Sequence, residues 1–345
     1  MLLSVRGLSV EYRQVGSANR TVTGASLEVP AGEVVGLVGE SGCGKSTLAL
    51  AVLGMTRRSG QIVGGSVEFE GQKLFDVSQG SSLTEDEWRA YRGREIGLVV
   101  QHPRGAFNPV KRIGEQIDRH YQVHSGASSG EARRRTLELL EQVGINDPQR
   151  RVNSFPHELS GGMAQRALIA MALSPSPKLL IADEATTALD VTIQEQILDL
   201  LDELRRTHKL GMIVVSHDMG VVANYCDRVY LMNAGEVVEH APVERFFEEV
   251  AHPAAIALLA AQGVGHDHRA VRLRGLPVDT RRVPPGCRLH LRCPFASSDA
   301  GCSTVHPELS NFHDGHQVRC HRAADVTALA QAARPPAESD GGTDV

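Results

Sequence analysis

The sequence predicts an α/β protein built on a largely parallel sheet. Four short apolar runs lie between turn residues, namely "EVVGLVG" from Glu33, "IGLVVQ" from Ile96, "KLLIADE" from Lys178 and "GMIVVSHD" from Gly211. Continuous apolar runs of this length are typical of parallel strands buried on both faces. Amphipathic stretches separate them, and residues 192–208 repeat apolar side chains at helical spacing. Strands that alternate with helices favour a doubly wound architecture.

Changes in composition predict how the 345 residues are organised. The strand signal disappears between Gln101 and Ser160, where helical patterns with polar linkers indicate a helical insertion at about 102–165. Beyond His252 and Pro253 the chain becomes rich in Pro, Gly, His and Cys. We therefore expect a main domain at 1–250, an extension at 251–325 and a disordered tail at 326–345.

Charge and hydropathy exclude several classes of protein. The chain is 41% hydrophobic and 22% charged with a net charge of -5, which is ordinary globular usage and leaves no basic footprint for nucleic acid. The first residues, "MLLSVRGLSVEYRQ", lack the charged and apolar regions of a signal peptide. No apolar run approaches the roughly 20 residues that span a bilayer. We expect any contact with a membrane to pass through a partner.

The first chemical motif, "GESGCGKST", lies directly after a strand and before a helical run. Its glycines allow backbone N–H groups to surround phosphate oxygens, and the helix that follows directs its positive end at the same anion. Lys45 can reach the β- and γ-phosphates, and Ser46 can bind Mg²⁺. The candidate phosphate-binding residues are Gly39, Glu40, Ser41, Gly42, Cys43, Gly44, Lys45, Ser46 and Thr47.

Two acids end the apolar strand "KLLIADE". Asp183 can hold Mg²⁺, and Glu184 can orient or deprotonate the water that attacks the γ-phosphate, because phosphoryl transfer depends mainly on positioning and on stabilisation of charge. A strand that ends in two acids is weak evidence for a nucleotide-hydrolysing site when it stands alone, but it is strong evidence when the chain also has a phosphate loop. No N-K-x-D motif argues for guanine, so the sequence favours ATP.

A third motif, "FPHELSGGMAQRALIAMAL", starts at Phe155 and contains Ser160, Gly161 and Gly162. Physically it is a second anion-binding helix start, although Ser160 alone could simply cap that helix. Together with the other two motifs it resembles the signature sequence of ATP-binding cassette (ABC) ATPases. That resemblance implies a RecA-like core, an N-terminal antiparallel β subdomain and the helical insertion.

Four further residues match this family in the expected order. Gln101 resembles the glutamine that senses the γ-phosphate and Mg²⁺, Asp190 in "TTALD" resembles the end of the D-loop, His217 resembles the switch histidine, and Tyr12 resembles the aromatic residue that stacks on adenine. Taken singly, each residue could be an ordinary polar or strand-edge side chain. The resemblance implies that Glu184, His217 and Gln101 are catalytic, that Tyr12, Ser160, Gly161, Gly162 and Asp190 bind nucleotide, and that Ser46, Gln101 and Asp183 hold Mg²⁺.

A finer resemblance is to the ATPase subunits of oligopeptide, dipeptide and nickel importers. It is carried by "VVQHPRGAFNPVKRIGEQI", "ADEATTALDVTIQEQIL" and, most specifically, "LPVDTRRVPPGCRLHLRCP". The implied function is ATP-driven uptake of di- or oligopeptides. Alternatives are import of nickel or a metal chelate, a non-transport ABC ATPase, and a redox-sensing switch.

The same resemblance implies an assembly. In ABC ATPases the phosphate loop of one subunit and the signature motif of another enclose one ATP, so ATP binding closes a dimer. The expected partners are a related second ATPase in a heterodimer, two transmembrane permease subunits and an extracytoplasmic solute-binding protein, with no nucleic acid. The expected location is peripheral, on the cytoplasmic face of the inner (plasma) membrane.

Four of the six cysteines lie close together near the end of the chain, at Cys287, Cys293, Cys302 and Cys320. A reducing cytosol disfavours disulfides. Four thiolates can bind Zn²⁺, although the usual C-x₂₋₄-C knuckle is missing, and they equally suit an Fe–S cluster. The spacing of the cysteines is therefore compatible with either Zn²⁺ or an Fe–S cluster. The importer subunits that this chain resembles can carry a [4Fe–4S] cluster at the corresponding cysteines, so the resemblance favours that cluster over zinc.

Overall fold

A computed structural model describes residues 1–14, 17–56, 59–185, 191–263 and 272–332. The strands in these residues are β1 (Leu3–Gln14), β2 (Ser17–Val29), β3 (Val34–Gly39), β4 (Gly60–Phe69), β5 (Gln72–Asp76), β6 (Ser81–Ser82), β7 (Ile96–Val99), β8 (Leu179–Asp183), β9 (Gly211–Val215), β10 (Arg228–Asn233), β11 (Glu236–Pro242), β12 (Ser310–His313) and β13 (His316–Val318). The helices are α1 (Lys45–Val52), α2 (Glu85–Tyr91), α3 (Pro103–Ala106), α4 (Ile113–Ser125), α5 (Ser129–Gln142), α6 (Pro148–Arg151), α7 (Gly161–Leu173), α8 (Val191–His208), α9 (Met219–Tyr225), α10 (Val243–Glu248), α11 (Pro253–Gln262) and α12 (Ala323–Ala332). The predicted mixed α/β class is confirmed.

The larger sheet has the strand order β12-β13-β11-β10-β3-β9-β8-β7. Its strands β10, β3, β9, β8 and β7 are parallel, and four of them are the apolar runs read from the sequence. Every residue of β3, β8 and β9 is buried, as expected for strands covered on both faces. The carboxyl ends of β3, β9 and β8 are neighbours, so the loops that follow them meet at one edge of the sheet.

The smaller sheet is antiparallel, with the order β2-β1-β4-β5-β6. Its buried side chains share a hydrophobic core with α1 and with one face of the larger sheet. Gly44 lies against the backbone of this small sheet, since a Cβ placed there would come 2.7 Å from the Thr21 carbonyl oxygen. The sheet therefore forms one wall beside the loop between β3 and α1.

Helices α3 to α7 lie between β7 and β8, where the sequence indicates a helical insertion. Ser128 begins α5 with a capping box, in which its hydroxyl accepts from the Glu131 N–H and the Glu131 carboxylate accepts from the Ser128 N–H. Apolar side chains of α4, α5 and α7 join the main core beside β8 and β9. The insertion is therefore packed on the sheet.

The C-terminal residues extend the same structure. The hairpin β12–β13 adds to the edge of the larger sheet, where β13 pairs antiparallel with β11. Leu289 and Val326 are buried in the core that also holds residues of β8 and β9. The division between 1–250 and 251–325 stays a prediction.

The disordered tail expected at 326–345 does not hold for its first residues. Positions 326–332 complete α12, and Val326 is buried in the main core, where its apolar side chain is removed from water. Residues 333–345 lie outside the described residues, as does Asp190.

Candidate functional site

The loop between β3 and α1 requires glycine where the sequence provides it. Gly39, Gly42 and Gly44 have φ of 147°, 78° and 111°, in the region that disfavours side chains. A Cβ on Gly39 would lie 2.2 Å from the Met232 carbonyl oxygen. The loop therefore lies against β10, where a side chain at Gly39 would not fit.

Lys45 lies inside this curl. It is 5% exposed, and its Nζ donates to the carbonyl oxygens of Gly39 at 2.8 Å and Glu40 at 3.0 Å. The adjacent Cys43 is buried, and burial raises the pKa of its thiol, which keeps it a small neutral side chain that fills space. The ammonium thus lies where a phosphate enclosed by the loop would find its counter-charge.

The first two motifs meet through their side chains. The Ser46 hydroxyl donates to Asp183 Oδ1 at 2.8 Å, although 137 positions separate the two residues. Asp183 ends β8 and is 9% exposed. A hydroxyl and a carboxylate are oxygen donors of the kind that Mg²⁺ prefers, so these two residues form a suitable pair of ligands beside the phosphate loop.

Glu184 brings together the other predicted catalytic residues. Gln101 Nε2 donates to Glu184 Oε2 at 2.6 Å, and His217 Nδ1 lies 3.9 Å from Glu184 Oε1. Glu184 has φ of 48°, a strained conformation for a residue with a side chain, and its N–H donates to the Val215 carbonyl. The strand end therefore holds this carboxylate at the meeting point of three loops.

The signature residues lie apart from the phosphate loop. Ser160 caps α7, its hydroxyl accepting from the Met163 N–H at 3.2 Å. A Cβ on Gly162 would lie 2.9 Å from Ile193 of α8, so glycine permits this close approach of the two helices. Ser160, Gly161 and Gly162 line an open cavity of about 550 Å³ whose lining includes no residue of the phosphate loop. Within one described chain, the two anion-binding motifs do not share a site.

Tyr12 lies on β1 opposite Asn19 of β2 and is partly buried against the core of the smaller sheet. Two residues earlier, Val10 pairs with Val22, whose side chain is among the nearest neighbours of Gly44. Tyr12 therefore lies on the wall beside the phosphate loop.

Two residues at the site were missed by the sequence analysis. Gln262, the last residue of α11, accepts from the Met219 N–H at 2.6 Å and donates to the His217 carbonyl, so it holds the loop that carries His217. Arg292 forms two hydrogen bonds with the Glu40 carboxylate. Gln262 belongs to no recognisable motif, and Arg292 lies in the stretch "LPVDTRRVPPGCRLHLRCP", where only its charge beside Cys293 could have drawn notice.

The four C-terminal cysteines line one small cavity of about 20 Å³, together with His252, His290 and Arg322. Burial raises the pKa of the Cys287 thiol, and it raises the pKa of Cys293 to about 11 and that of Cys320 to about 12. In each case neighbouring thiols raise the pKa further. Within the described ranges no group of three or more His, Cys, Asp or Glu side chains is arranged to hold a metal ion.

The fold and the motifs that it brings together define a P-loop nucleoside triphosphatase. A family model described as ABC transporter matches residues 22–187, and one described as oligopeptide/dipeptide transporter, C-terminal region, matches residues 238–302. The chain belongs to the family of ABC transporter ATP-binding proteins, and it is an ABC ATPase as the motifs predict.

Individual relatives support the same family assignment. A probable peptide ABC transporter ATP-binding protein of Sinorhizobium fredii is 41% identical over 95% of this chain and 97% of the relative. The dipeptide transport ATP-binding protein DppD of Escherichia coli is 40% identical over 94% of this chain and 97% of the relative. The oligopeptide transport protein OppD of Mycobacterium tuberculosis is 41% identical over 98% of this chain, which spans 56% of that longer relative.

Solved structures match the same part of the fold. The dimeric ATP-binding cassette MJ0796, bound to ADP and Pi, superimposes with a TM-score of 0.62 at 28% identity, covering 70% of this chain and 99% of that one. CbiO1 of Clostridium perfringens, part of an ABC transporter complex, superimposes with a TM-score of 0.60 at 25% identity, covering 76% of this chain and 95% of that one. None of the helices in the described residues combines the length and apolar character needed to cross a bilayer.

Proposed function

We propose that this chain is the ATP-hydrolysing subunit that powers uptake of di- or oligopeptides through an ABC transporter. The observation that carries the proposal is the joined site, in which Ser46 of the phosphate loop contacts Asp183 and Glu184 contacts Gln101. The peptide substrate is supported by relatives of about 40% identity named as peptide or dipeptide transport proteins, and by the matched C-terminal region.

Each residue has a chemical role in this proposal. Lys45 and the N–H groups of the loop bind the β- and γ-phosphates. Ser46, Asp183 and Gln101 would hold Mg²⁺, which when bound offsets the charge of the phosphates. Glu184 accepts a proton from the attacking water, and Gln101 orients its carboxylate.

The remaining predicted residues act at the edges of the site. His217, 3.9 Å from Glu184, contacts the γ-phosphate when the site closes. Tyr12 stacks on adenine from the wall formed by the smaller sheet. Asp190 takes the role implied by the D-loop resemblance, although it lies outside the described residues.

The distance between motifs supports a dimer. Ser160, Gly161 and Gly162 open onto a cavity of their own, so a second subunit must supply the signature residues that cover the ATP held by this phosphate loop. We propose that the second subunit is a related ATPase, that the pair docks on two transmembrane permease subunits at the cytoplasmic face of the membrane, and that a solute-binding protein delivers the peptide.

A further part of the proposal concerns the four cysteines. Zn²⁺ binds thiolates at about 2.3 Å, which would require the four sulfurs to lie within roughly 4 Å of each other. A [4Fe–4S] cluster spreads its four thiolate ligands over separate irons. Four thiols line one cavity and could serve as ligands of either group, and the resemblance to the importer subunits favours the cluster. Iron and sulfide analysis of anaerobically purified protein should find about four irons per chain. A colourless, zinc-loaded protein would reverse the assignment.

Replacing the proposed base tests the catalytic role. Glu184→Gln keeps the shape of the side chain and removes its basicity, so we expect ATP hydrolysis to fall at least about 100-fold while ATP affinity stays within about twofold. The matched control is Glu195→Gln, the same change at an exposed position on α8. Brisk hydrolysis by Glu184→Gln would remove Glu184 as the base.

The transport role is tested with the assembled complex. The chain is co-purified with its permeases and reconstituted in vesicles with the solute-binding protein. We expect ATP-dependent accumulation of a labelled dipeptide, and no accumulation with Glu184→Gln. Accumulation of Ni²⁺ in place of the dipeptide would refute the proposed substrate and leave the ATPase role intact.

A further inference from the structure

A buried arginine near the end of the chain holds the acidic side chain of the phosphate loop. Arg292 Nη1 donates to Glu40 Oε2 at 2.7 Å, and Nη2 donates to Oε1 at 3.0 Å. The Arg292 side chain is 9% exposed and that of Glu40 is 33% exposed. Two parallel charge-assisted hydrogen bonds fix the orientation of both groups, which a single contact would not do.

The turn that carries Arg292 is itself well anchored. The N–H groups of Arg292 and Cys293 both donate to the Leu289 carbonyl, at 2.8 and 2.9 Å. Arg292 Nε donates to the Arg274 carbonyl at 3.2 Å, and the Arg274 N–H returns a hydrogen bond to the Arg292 carbonyl. The guanidinium is therefore fixed relative to Cys293, one of the thiols that line the cavity.

The other end of the contact belongs to the phosphate loop. The Glu40 carbonyl accepts from Lys45 Nζ at 3.0 Å and from the Cys43 N–H at 3.3 Å. The residue before it, Gly39, leaves no room for a side chain on the side of β10, because a Cβ there would lie 2.2 Å from a carbonyl oxygen. The backbone of Glu40 therefore links the Arg292 contact to the hydrogen bond that positions Lys45.

We propose that Arg292 is a positioning residue of the ATP site, which holds the phosphate loop in its ATP-binding form and makes the cysteine-bearing turn at 287–293 respond to ATP. The inference rests on the proposed ATP-binding function. Thermodynamic reciprocity requires both directions: if the turn strengthens ATP binding, then ATP stabilises the turn by the same factor.

Arg322 provides a comparison within the same C-terminal region. It lines the cavity of the four cysteines, donates to the Phe295 carbonyl and pairs with the Asp325 carboxylate. Its contacts lie within the C-terminal residues, so its loss perturbs the cysteine region without touching Glu40. A purely structural role for Arg292 predicts that the two arginines behave alike.

The first experiment measures ATP affinity in the full chain, as purified. Binding of a non-hydrolysable ATP analogue with Mg²⁺ is followed by calorimetry in the wild type and in Arg292→Gln, Arg292→Lys, Glu40→Gln and Arg322→Gln. We expect Arg292→Gln to weaken binding about tenfold, Arg292→Lys to weaken it less, and Arg322→Gln to change it less than about twofold. The double variant Arg292→Gln/Glu40→Gln should bind no more weakly than Arg292→Gln, because the two changes remove one contact.

The second experiment measures the reciprocal effect by hydrogen exchange of the backbone amides in residues 289–293. We expect the analogue to slow this exchange in the wild type and in Arg322→Gln, and to leave it unchanged in Arg292→Gln. Equal affinity of folded Arg292→Gln and wild type, or no effect of the analogue on the wild-type turn, would overturn the inference.

Two further outcomes are decisive. If Arg292→Gln does not fold, Glu40→Gln breaks the same contact from the loop, and wild-type affinity in that variant refutes the proposal. If the wild type itself binds no analogue, the proposed ATP-binding function fails, and the inference that rests on it fails too.

Discussion

Two histidines between the helical insertion and the sheet make the stability of this protein depend on pH. His120 Nδ1 lies 3.0 Å from Ser174 Oγ, whose hydroxyl donates to the Met171 carbonyl, so His120 is the donor to Ser174. The His124 ring lies beside it, with 4.7 Å between ring centroids. Burial and the neighbouring His124 lower the pKa of His120 to about 4, and burial and Arg94 lower the pKa of His124.

The direction of the effect follows from proton binding. An unfolded histidine has a pKa of about 6.5, so between pH 6.5 and 4 the unfolded chain takes up a proton that folded His120 does not. The free energy of unfolding contributed by this group is complete above pH 6.5 and falls by up to about 1.4 kcal/mol per pH unit below it. The loss is about 2 kcal/mol at pH 5 and about 3 kcal/mol at pH 4, as upper limits.

Urea denaturation at pH 7.5 and pH 5, followed by circular dichroism, measures this loss. Glutamine at position 120 keeps a donor for Ser174 and cannot take up a proton, so His120→Gln should lose about 2 kcal/mol less than the wild type between the two pH values. The control is His208→Gln, because His208 is exposed on α8. Equal losses in the wild type and His120→Gln would refute the reasoning.

Other predictions concern the ATP site. Lys45→Ala should weaken ATP binding at least about tenfold in calorimetry, since hydrogen bonds to charged groups contribute about 1.5–3 kcal/mol, and unchanged affinity would contradict the placement of the phosphate loop. Gln262→Leu releases the loop of His217 and should lower kcat for ATP hydrolysis about threefold or more with little change in KM. A fall in kcat accompanied by an equally large rise in KM would instead point to a misfolded site. Gly44→Ala forces a side chain into a left-handed position with no room and should lower stability by about 1–3 kcal/mol in urea, whereas Gly130→Ala, on an open helix face, should not.

The residues that act as contiguous motifs were readable from the sequence. The phosphate loop from Gly39 to Thr47 needs glycine at positions of positive φ, and the structure has positive φ at three of them. The four buried parallel strands and helix α8 also lie where their apolar patterns predict them. Local conformation and burial on both faces leave a periodic trace in the chain, which explains why these features could be predicted.

The tertiary structure alone decided how these pieces combine. Gln101 meets Glu184 across 83 positions, and Arg292 meets Glu40 across 252, because the order of strands β3, β9, β8 and β7 brings their carboxyl ends to one edge and the C-terminal residues fold back over it. The addition of the β12–β13 hairpin to the sheet and the separation of Ser160 from the phosphate loop are of the same kind. Contacts between distant residues depend on packing and hydrogen bonds formed after the elements assemble, and such contacts leave no period or spacing in a single sequence.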